Sequence, residues 1–293
     1  VPETLVSSQQ AQRLEQLKRI CLSYRDFEIL AADARKKNAI FLSTPFDLKS
    51  AEFLNALVPA FKIASGDNNF FPLIDYLAST GKPLIVSTGM ALTEEMMALK
   101  EFILHAWETR KIQSPGLAFL HCVSSYPTQP VEANVRAVEA IKNLGVVPGY
   151  SDHTLGILAP LAAVSLGAKI IEKHFTLDKN QSSFRDHQLS LNPDEFLEMV
   201  LKIREIEVLL GDGTKKIGPS ELAVKREARR SIVASRDLEK GAMIASSDLE
   251  WLRPGHGLEP GKEHLLVGQK IRREIRKGES LNLEDLVSHS GVV

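Results

Sequence analysis

Two histidines, His153 and His174, stand where imidazoles can do chemistry. Each follows directly on a short apolar run, in "VVPGYSDH" and "KIIEKH", and a helix-like stretch fills the 21-residue step between them. If the two runs are neighbouring parallel strands, both rings arrive at adjacent strand ends and could meet across one metal ion. Two neutral imidazoles with added oxygen ligands suit Mn, Fe, Co or Zn. Taken singly, either histidine is more commonly a hydrogen-bonded residue at a strand end; the pair carries the metal reading. Lys62 is the second signal. It is the one cation in the apolar run "AFKIAS", and burying an unpaired ammonium is costly, so a ligand anion is its expected partner. Thr44, Ser65, Ser87 and Ser151 are small hydroxyl residues at successive run ends. Each alone fits a helix cap or a turn.

The elements that must position these residues repeat along the chain. Six apolar runs read as buried strands: 39–43, 60–65, 84–88, 117–123, 146–151 and 169–175. Helix-like segments separate them, at 47–57 with Asp47 as a cap, at 93–107 starting with Thr93, and at 130–144. Strand, polar loop and helix in repetition predict βα units with parallel strands. Every run ends in polar or glycine residues, which puts the chemistry at strand C-termini, as in a (β/α)₈ TIM barrel or an open doubly wound sheet. A closed barrel needs eight strands. Residues 9–20 and 24–37 read as helices, so the chain is expected to join the repeat after its first two strands. A long helix over 193–211 closes the barrel domain, 1–212. Residues 213–228, with glycines, a proline and lysines, read as a linker. The rest, 229–293, has short alternating segments and a near-repeat, "DLEKGAMIASSDL" and "EIRKGESLNLEDL". It predicts a small β-rich domain with internal pseudo-symmetry.

The net charge of −1 gives no electrostatic case for nucleic acid or a membrane surface. The longest nearly apolar run, 157–168, contains Pro160 and Ser165 and is too short to span a bilayer. With only Cys21 and Cys122, no disulfide framework is expected, and a cytoplasmic location is. Cys122 reads as core.

Seven motifs occur in order: "FLSTPFD", "FKIASGDNNFFP", "VSTGM", "HCVSSYPTQP", "GYSDH", "EKHFTLD" and "DHQLSLNPDEF". Together they resemble the sialic acid synthase family, which makes N-acetylneuraminate and related nonulosonic acids. The C-terminal segment, with "RPGHG", is similar to that family's antifreeze-like (SAF) domain, so the resemblance covers almost the whole chain. It implies a TIM barrel that condenses phosphoenolpyruvate with an open-chain N-acylated amino-mannose, giving a nine-carbon 2-keto acid and phosphate. It also implies a divalent metal, Mn²⁺ or Mg²⁺, held by His153 and His174. Thr44, Lys62, Ser65, Ser87 and Ser151 match positions lining the phosphoenolpyruvate site. Asp67 matches an acidic position near the reacting carbons, Tyr126 a tyrosine that contacts the substrates, and Asp186 an acid approaching the sugar hydroxyls. Ser124 stands where bacterial members often carry Asn, and Phe184-Arg185 replaces a Gly-rich pattern. His187 reads as loop structure. A homodimer is implied in which the SAF domain of one subunit caps the partner's barrel and Arg253 reaches the sugar's N-acyl group. Members open with strands bearing Glu-Ile-Gly, Asn-His and Lys-Phe-Gln; these motifs do not occur here, and the chain from Val1 is expected to turn over little. Two other readings remain: a metal-dependent pyruvate aldolase on the same barrel, and a non-catalytic sugar-binding protein.

Overall fold

The structure, a computed structural model, describes Lys18, residues 21–181 and residues 185–287. The chain divides between Asp212 and Gly213 into two compact units.

The first unit is built on a parallel sheet. Five strands, β1 (Phe61–Ile63), β2 (Leu84–Ser87), β3 (Leu117–Cys122), β4 (Val147–Asp152) and β5 (Ile170–Lys173), pair in sequence order. Helices occupy the crossovers: α1 (Tyr24–Lys36), α2 (Leu48–Leu54), α3 (Phe71–Ser79), α4 (Thr93–Thr109), α5 (Ala137–Asn143) and α6 (Leu158–Ser165). After β5 come α7 (Arg185–Leu189) and α8 (Pro193–Leu210). The helix starts follow capping chemistry. Asp47 accepts from the Ser50 amide, and Asn192 and Glu195 cap α8 reciprocally. Thr93 lies just inside α4, and Glu95 accepts from the Leu92 amide at 2.7 Å.

Several expectations need correction. Residues 39–43 are apolar but join no ladder among the described residues, so five strands pair rather than six. A strand is a pairing property, and composition alone specifies only an extended chain. No closed eight-stranded barrel forms among the described residues. Residues 130–136 turn rather than coil, leaving α5 only Ala137–Asn143. Leu191, in no predicted strand, bridges in parallel to Phe175 beyond β5. The predicted helix at 9–20 lies outside the described residues apart from Lys18.

Side chains on a strand alternate between faces, and parallel neighbours in register share a face. Phe61, Ile63, Leu84, Val86, Leu117 and Phe119 therefore point one way, and all join the main apolar core with α3 and α4. The opposite face carries Lys62, Ser87, Cys122, Ser151, His153, Glu172 and His174. This face is concave. In a flat sheet β1 and β5 would lie roughly 19 Å apart, four strand spacings. Yet Lys62 Nζ on β1 is 3.5 Å from Glu172 Oε2 on β5. Curling is the only way the outer strands can bring those side chains together. Gly149 belongs to the same face, and a Cβ there would sit 2.2 Å from Leu120 Cδ2 and 2.8 Å from the Ile170 carbonyl oxygen.

The second unit is β-rich. Residues 219–228 of the stretch read as linker form helix α9 (Pro219–Ala228), followed by the antiparallel pair β6 (Ser231–Ala234) and β7 (Leu249–Leu252). The near-repeat folds as a repeat. Arg236 donates to Asp248 and Arg273 to Asp285, both at 2.7 Å. Asp248 and Asp285 each accept from an amide three residues earlier, of Ala245 and Asn282.

Candidate active site

The concave face opens into a cavity of about 730 Å³. Nine predicted residues line it: Thr44, Lys62, Ser65, Ser87, Tyr126, Ser151, His153, His174 and Asp186. Two do not. Asp67, in the 3₁₀ turn after β1, is absent from the lining although Ser65 and Gly66 beside it are present. Burial raises the Asp67 carboxyl above its ordinary value. Arg253 belongs to the second unit, where it lines a pocket with Arg229, Arg230 and Glu259.

At one end of the cavity Lys62 donates to the Ser87 hydroxyl at 2.7 Å and to the Ile63 carbonyl at 3.0 Å. Glu172 takes the third direction, and Ser151 donates to its other oxygen at 2.6 Å. The Gly89 amide donates to Ser65 Oγ at 3.1 Å, drawing the loop after β2 toward that after β1.

At the other end the two histidines face each other with ring centroids 5.2 Å apart. The Tyr126 ring lies 4.0 Å from His153 and 5.9 Å from His174. His153 Nδ1 is 2.8 Å from the Val123 carbonyl. A carbonyl only accepts, so Nδ1 carries the proton and Nε2 keeps a free lone pair. Burial pushes the His153 ring down, but Cys122 and the Val123 carbonyl outweigh it and hold the ring above its ordinary value. Burial and the neighbouring His153 hold His174 below its ordinary value, with Asp186 and Glu172 opposing. Asp186 Oδ2 is 3.9 Å from His174 Nδ1, an electrostatic neighbour rather than a hydrogen-bond partner.

Among the lining residues that sequence reasoning missed, two are titratable, Glu172 and Cys122. Glu172 carries the period-two signal: it lies two residues before His174 and so shares its face. Cys122, read as core, is buried yet lines the cavity, because it registers with Ser151. Burial raises its thiol, but His153, Ser65 and Ser151 together bring it below its ordinary value. Ser124 also lines the cavity. His187, read as loop structure, lies in α7, and its Nδ1 meets Thr176 Oγ1, just beyond β5, at 2.8 Å. Among the described residues no three His, Cys, Asp or Glu side chains gather as a metal cage. None of their helices is long and apolar enough to cross a membrane.

A curled parallel α/β sheet with polar groups at its strand C-termini, accompanied by a small β-rich unit, defines the class as an open half-barrel with an appended domain. The chain belongs to the NeuB family, whose profile matches residues 3–215, and an SAF domain matches residues 229–287. It is 44% identical over 286 residues to an uncharacterised protein of Methanocaldococcus jannaschii, covering 96% of this chain and 82% of that protein. It is 39% identical to the N,N'-diacetyllegionaminic acid synthase of Legionella pneumophila, covering 93% of this chain and 76% of the relative. Among solved structures, the N-acetylneuraminic acid synthetase of Leptospira borgpetersenii aligns with a TM-score of 0.67 and 34% identity, over 76% of this chain and 75% of that one.

Proposed function

We propose that this chain binds phosphoenolpyruvate and an N-acylated amino-mannose and condenses them to a nonulosonic acid and phosphate, the reaction type of NeuB-family synthases. The observation that carries this is the division of one concave face into a cation-and-hydroxyl end and a paired-imidazole end. Lys62, Ser87, Ser65 and Ser151 suit an anion bearing phosphate and carboxylate. As it binds, the Lys62 ammonium exchanges Glu172 for the ligand. Glu172 is then released toward the sugar, where with Asp186 it orients hydroxyls. Tyr126 walls the histidines and excludes water.

The donor chemistry at the other end would fit Mn²⁺ better than Mg²⁺, which takes oxygen ligands: two imidazoles, His153 through Nε2, would hold the ion, with further positions left to water or substrate oxygens. Such an ion, when bound, supplies Lewis acidity to the sugar's aldehyde oxygen. In the overall reaction C3 of phosphoenolpyruvate bonds to the aldehyde carbon, water adds at C2, and phosphate leaves with C–O cleavage. Arg253, acting from a partner subunit's SAF domain in a homodimer, completes the sugar subsite with guanidinium donors for the acyl carbonyl.

The test is titration calorimetry with Mn²⁺ and with phosphoenolpyruvate, followed by assay of inorganic phosphate with N-acetylmannosamine present. Binding of both, with His153→Ala and His174→Ala each abolishing Mn²⁺ binding, is the expected outcome. Failure to bind phosphoenolpyruvate sinks the proposal. Turnover of pyruvate without phosphate release would mark an aldolase, and sugar binding without metal-dependent turnover a binding protein.

A further inference from the structure

Behind the histidines, on the helix-facing side of the sheet, lies a buried polar knot. Asp152 and Lys173 are register partners on β4 and β5, one residue before His153 and His174 respectively. Their side chains are fully buried, and Lys173 Nζ is 2.6 Å from Asp152 Oδ2. Lys173 also donates to the Thr154 carbonyl. The other oxygen of Asp152 accepts from the Thr154 amide at 2.9 Å and from the Tyr150 hydroxyl at 3.1 Å. Burial and the adjacent Asp152 push the Tyr150 phenol well up, so it stays a donor.

A buried ion pair is a poor source of net stability, because desolvation offsets most of the attraction. Packing alone would favour two apolar residues here, as at Phe61, Ile63, Leu84, Val86, Leu117 and Phe119 on the same side of the sheet. What this pair has that apolar residues lack is direction. Through Asp152 and Thr154 it grips the backbone on both sides of His153. Through Lys173 it grips the residue before His174. The backbone from which the two rings extend is thus tied to a single cluster outside the cavity lining, while the Val123 carbonyl holds the His153 ring itself.

We propose that Asp152, Lys173 and Tyr150 are positioning residues, which hold His153 and His174 at the spacing a shared divalent ion requires. The inference rests on the reading of the histidines as metal ligands. Outer groups that orient metal-ligating histidines are worth about 10- to 100-fold in metal affinity.

The test uses the full chain, Mn²⁺ alone and phosphoenolpyruvate alone. The double variant Asp152→Leu/Lys173→Met replaces the ion pair with apolar volume and should retain the fold, checked by circular dichroism and a cooperative melt. Its affinity for Mn²⁺ should fall at least about tenfold, while phosphoenolpyruvate binding at Lys62 stays within about twofold of the parent. Lys173→Arg, which still donates to Asp152 and the Thr154 carbonyl, should recover most of the Mn²⁺ affinity. Parent-like Mn²⁺ binding in the folded double variant overturns the proposal, as do equal losses for metal and phosphoenolpyruvate. Should the double variant fail to fold, Tyr150→Phe decides: it keeps the ring and removes one bond to Asp152, and unchanged Mn²⁺ affinity overturns the proposal. A parent that binds no Mn²⁺ defeats the metal reading itself and this inference with it.

Discussion

Lys62→Met separates the two ends of the cavity. The substitution keeps most of the aliphatic stem and deletes the ammonium that reaches Ser87, the Ile63 carbonyl and Glu172. A hydrogen bond to a charged group is worth about 1.5–3 kcal/mol. At about 1.4 kcal/mol per factor of ten, losing one such bond to phosphoenolpyruvate weakens binding about 10- to 150-fold. A second effect adds to this. Glu172 loses its cation and faces the incoming anion, so repulsion replaces neutralisation. The double variant Lys62→Met/Glu172→Gln removes that carboxylate charge and should therefore bind phosphoenolpyruvate more tightly than Lys62→Met alone, though still more weakly than the parent. His153 and His174 hydrogen-bond none of these groups, so for Lys62→Met the Mn²⁺ affinity should stay within about twofold, well under the loss for the anion, whereas Glu172→Gln also removes a charge that acts on His174. Titration calorimetry of the three proteins with each ligand gives the six constants. A loss of phosphoenolpyruvate affinity below about threefold, or an equal loss for Mn²⁺, would refute the division of the cavity.

Gly149→Ala should destabilise the first unit by about 1–3 kcal/mol, because the new methyl meets Leu120 Cδ2 at 2.2 Å and the Ile170 carbonyl at 2.8 Å; an unchanged melting temperature would mean the strands part at no cost. In the second unit, the Ala245 amide holds the Asp248 carboxyl below its ordinary value, with Arg236 adding to this against desolvation. Asp248 therefore stabilises the fold fully above the unfolded-state value of 3.8, and that stability is lost as pH falls through the lower folded value. Asp248→Asn should flatten the acid loss of stability in melts taken from pH 5 downward, and equal slopes would exclude Asp248 as its source. Arg253→Ala and His153→Ala, each inactive alone in a chain with measurable turnover, should regain activity when unfolded and refolded together; mixed dimers without activity would remove Arg253 from the partner's site.

The parallel α/β sheet was legible in the sequence, and so was which residues it brings to one face, though not the number of strands or the curl. His153 and His174 could be paired from sequence because each ends an apolar run, and parallel strands deliver successive ends to one rim. Lys62 stood out because a cation inside an apolar strand needs a partner; here the partner is Glu172, an acid on the far edge strand. No local pattern announces that pairing, which depends on how far the sheet curls. Residues 39–43 misled for the converse reason. Their composition suits a strand, yet Ile40 is 77% exposed and they join no ladder among the described residues. Leu191 was invisible because a single bridge leaves no periodic trace. Asp67 was assigned by motif, and its motif neighbours Ser65 and Gly66 reach the cavity while it does not.

Alternation along the strands explains why one short sheet can serve both fold and chemistry. On β1 to β3 the helix-facing Phe61, Ile63, Leu84, Val86, Leu117 and Phe119 are apolar and buried and carry the core, while His121 at the end of β3 is polar and lies 2.9 Å from the Ala133 carbonyl. The concave positions can therefore be polar without weakening that core, and Lys62 on β1 and Ser87 on β2 occupy two of them, with Ser151 following on β4. On β4 and β5 the pattern changes at the C-terminal ends, where Asp152 and Lys173 place charge on the helix-facing side as well. Charge on both faces occurs where the two histidines stand, and there the helix-facing residues bond to the backbone that carries the rings. Substitutions on the helix-facing side of β1 to β3 should act mainly through stability. Those at Asp152 and Lys173 should instead act through the geometry of His153 and His174, with stability nearly conserved when apolar volume replaces the pair.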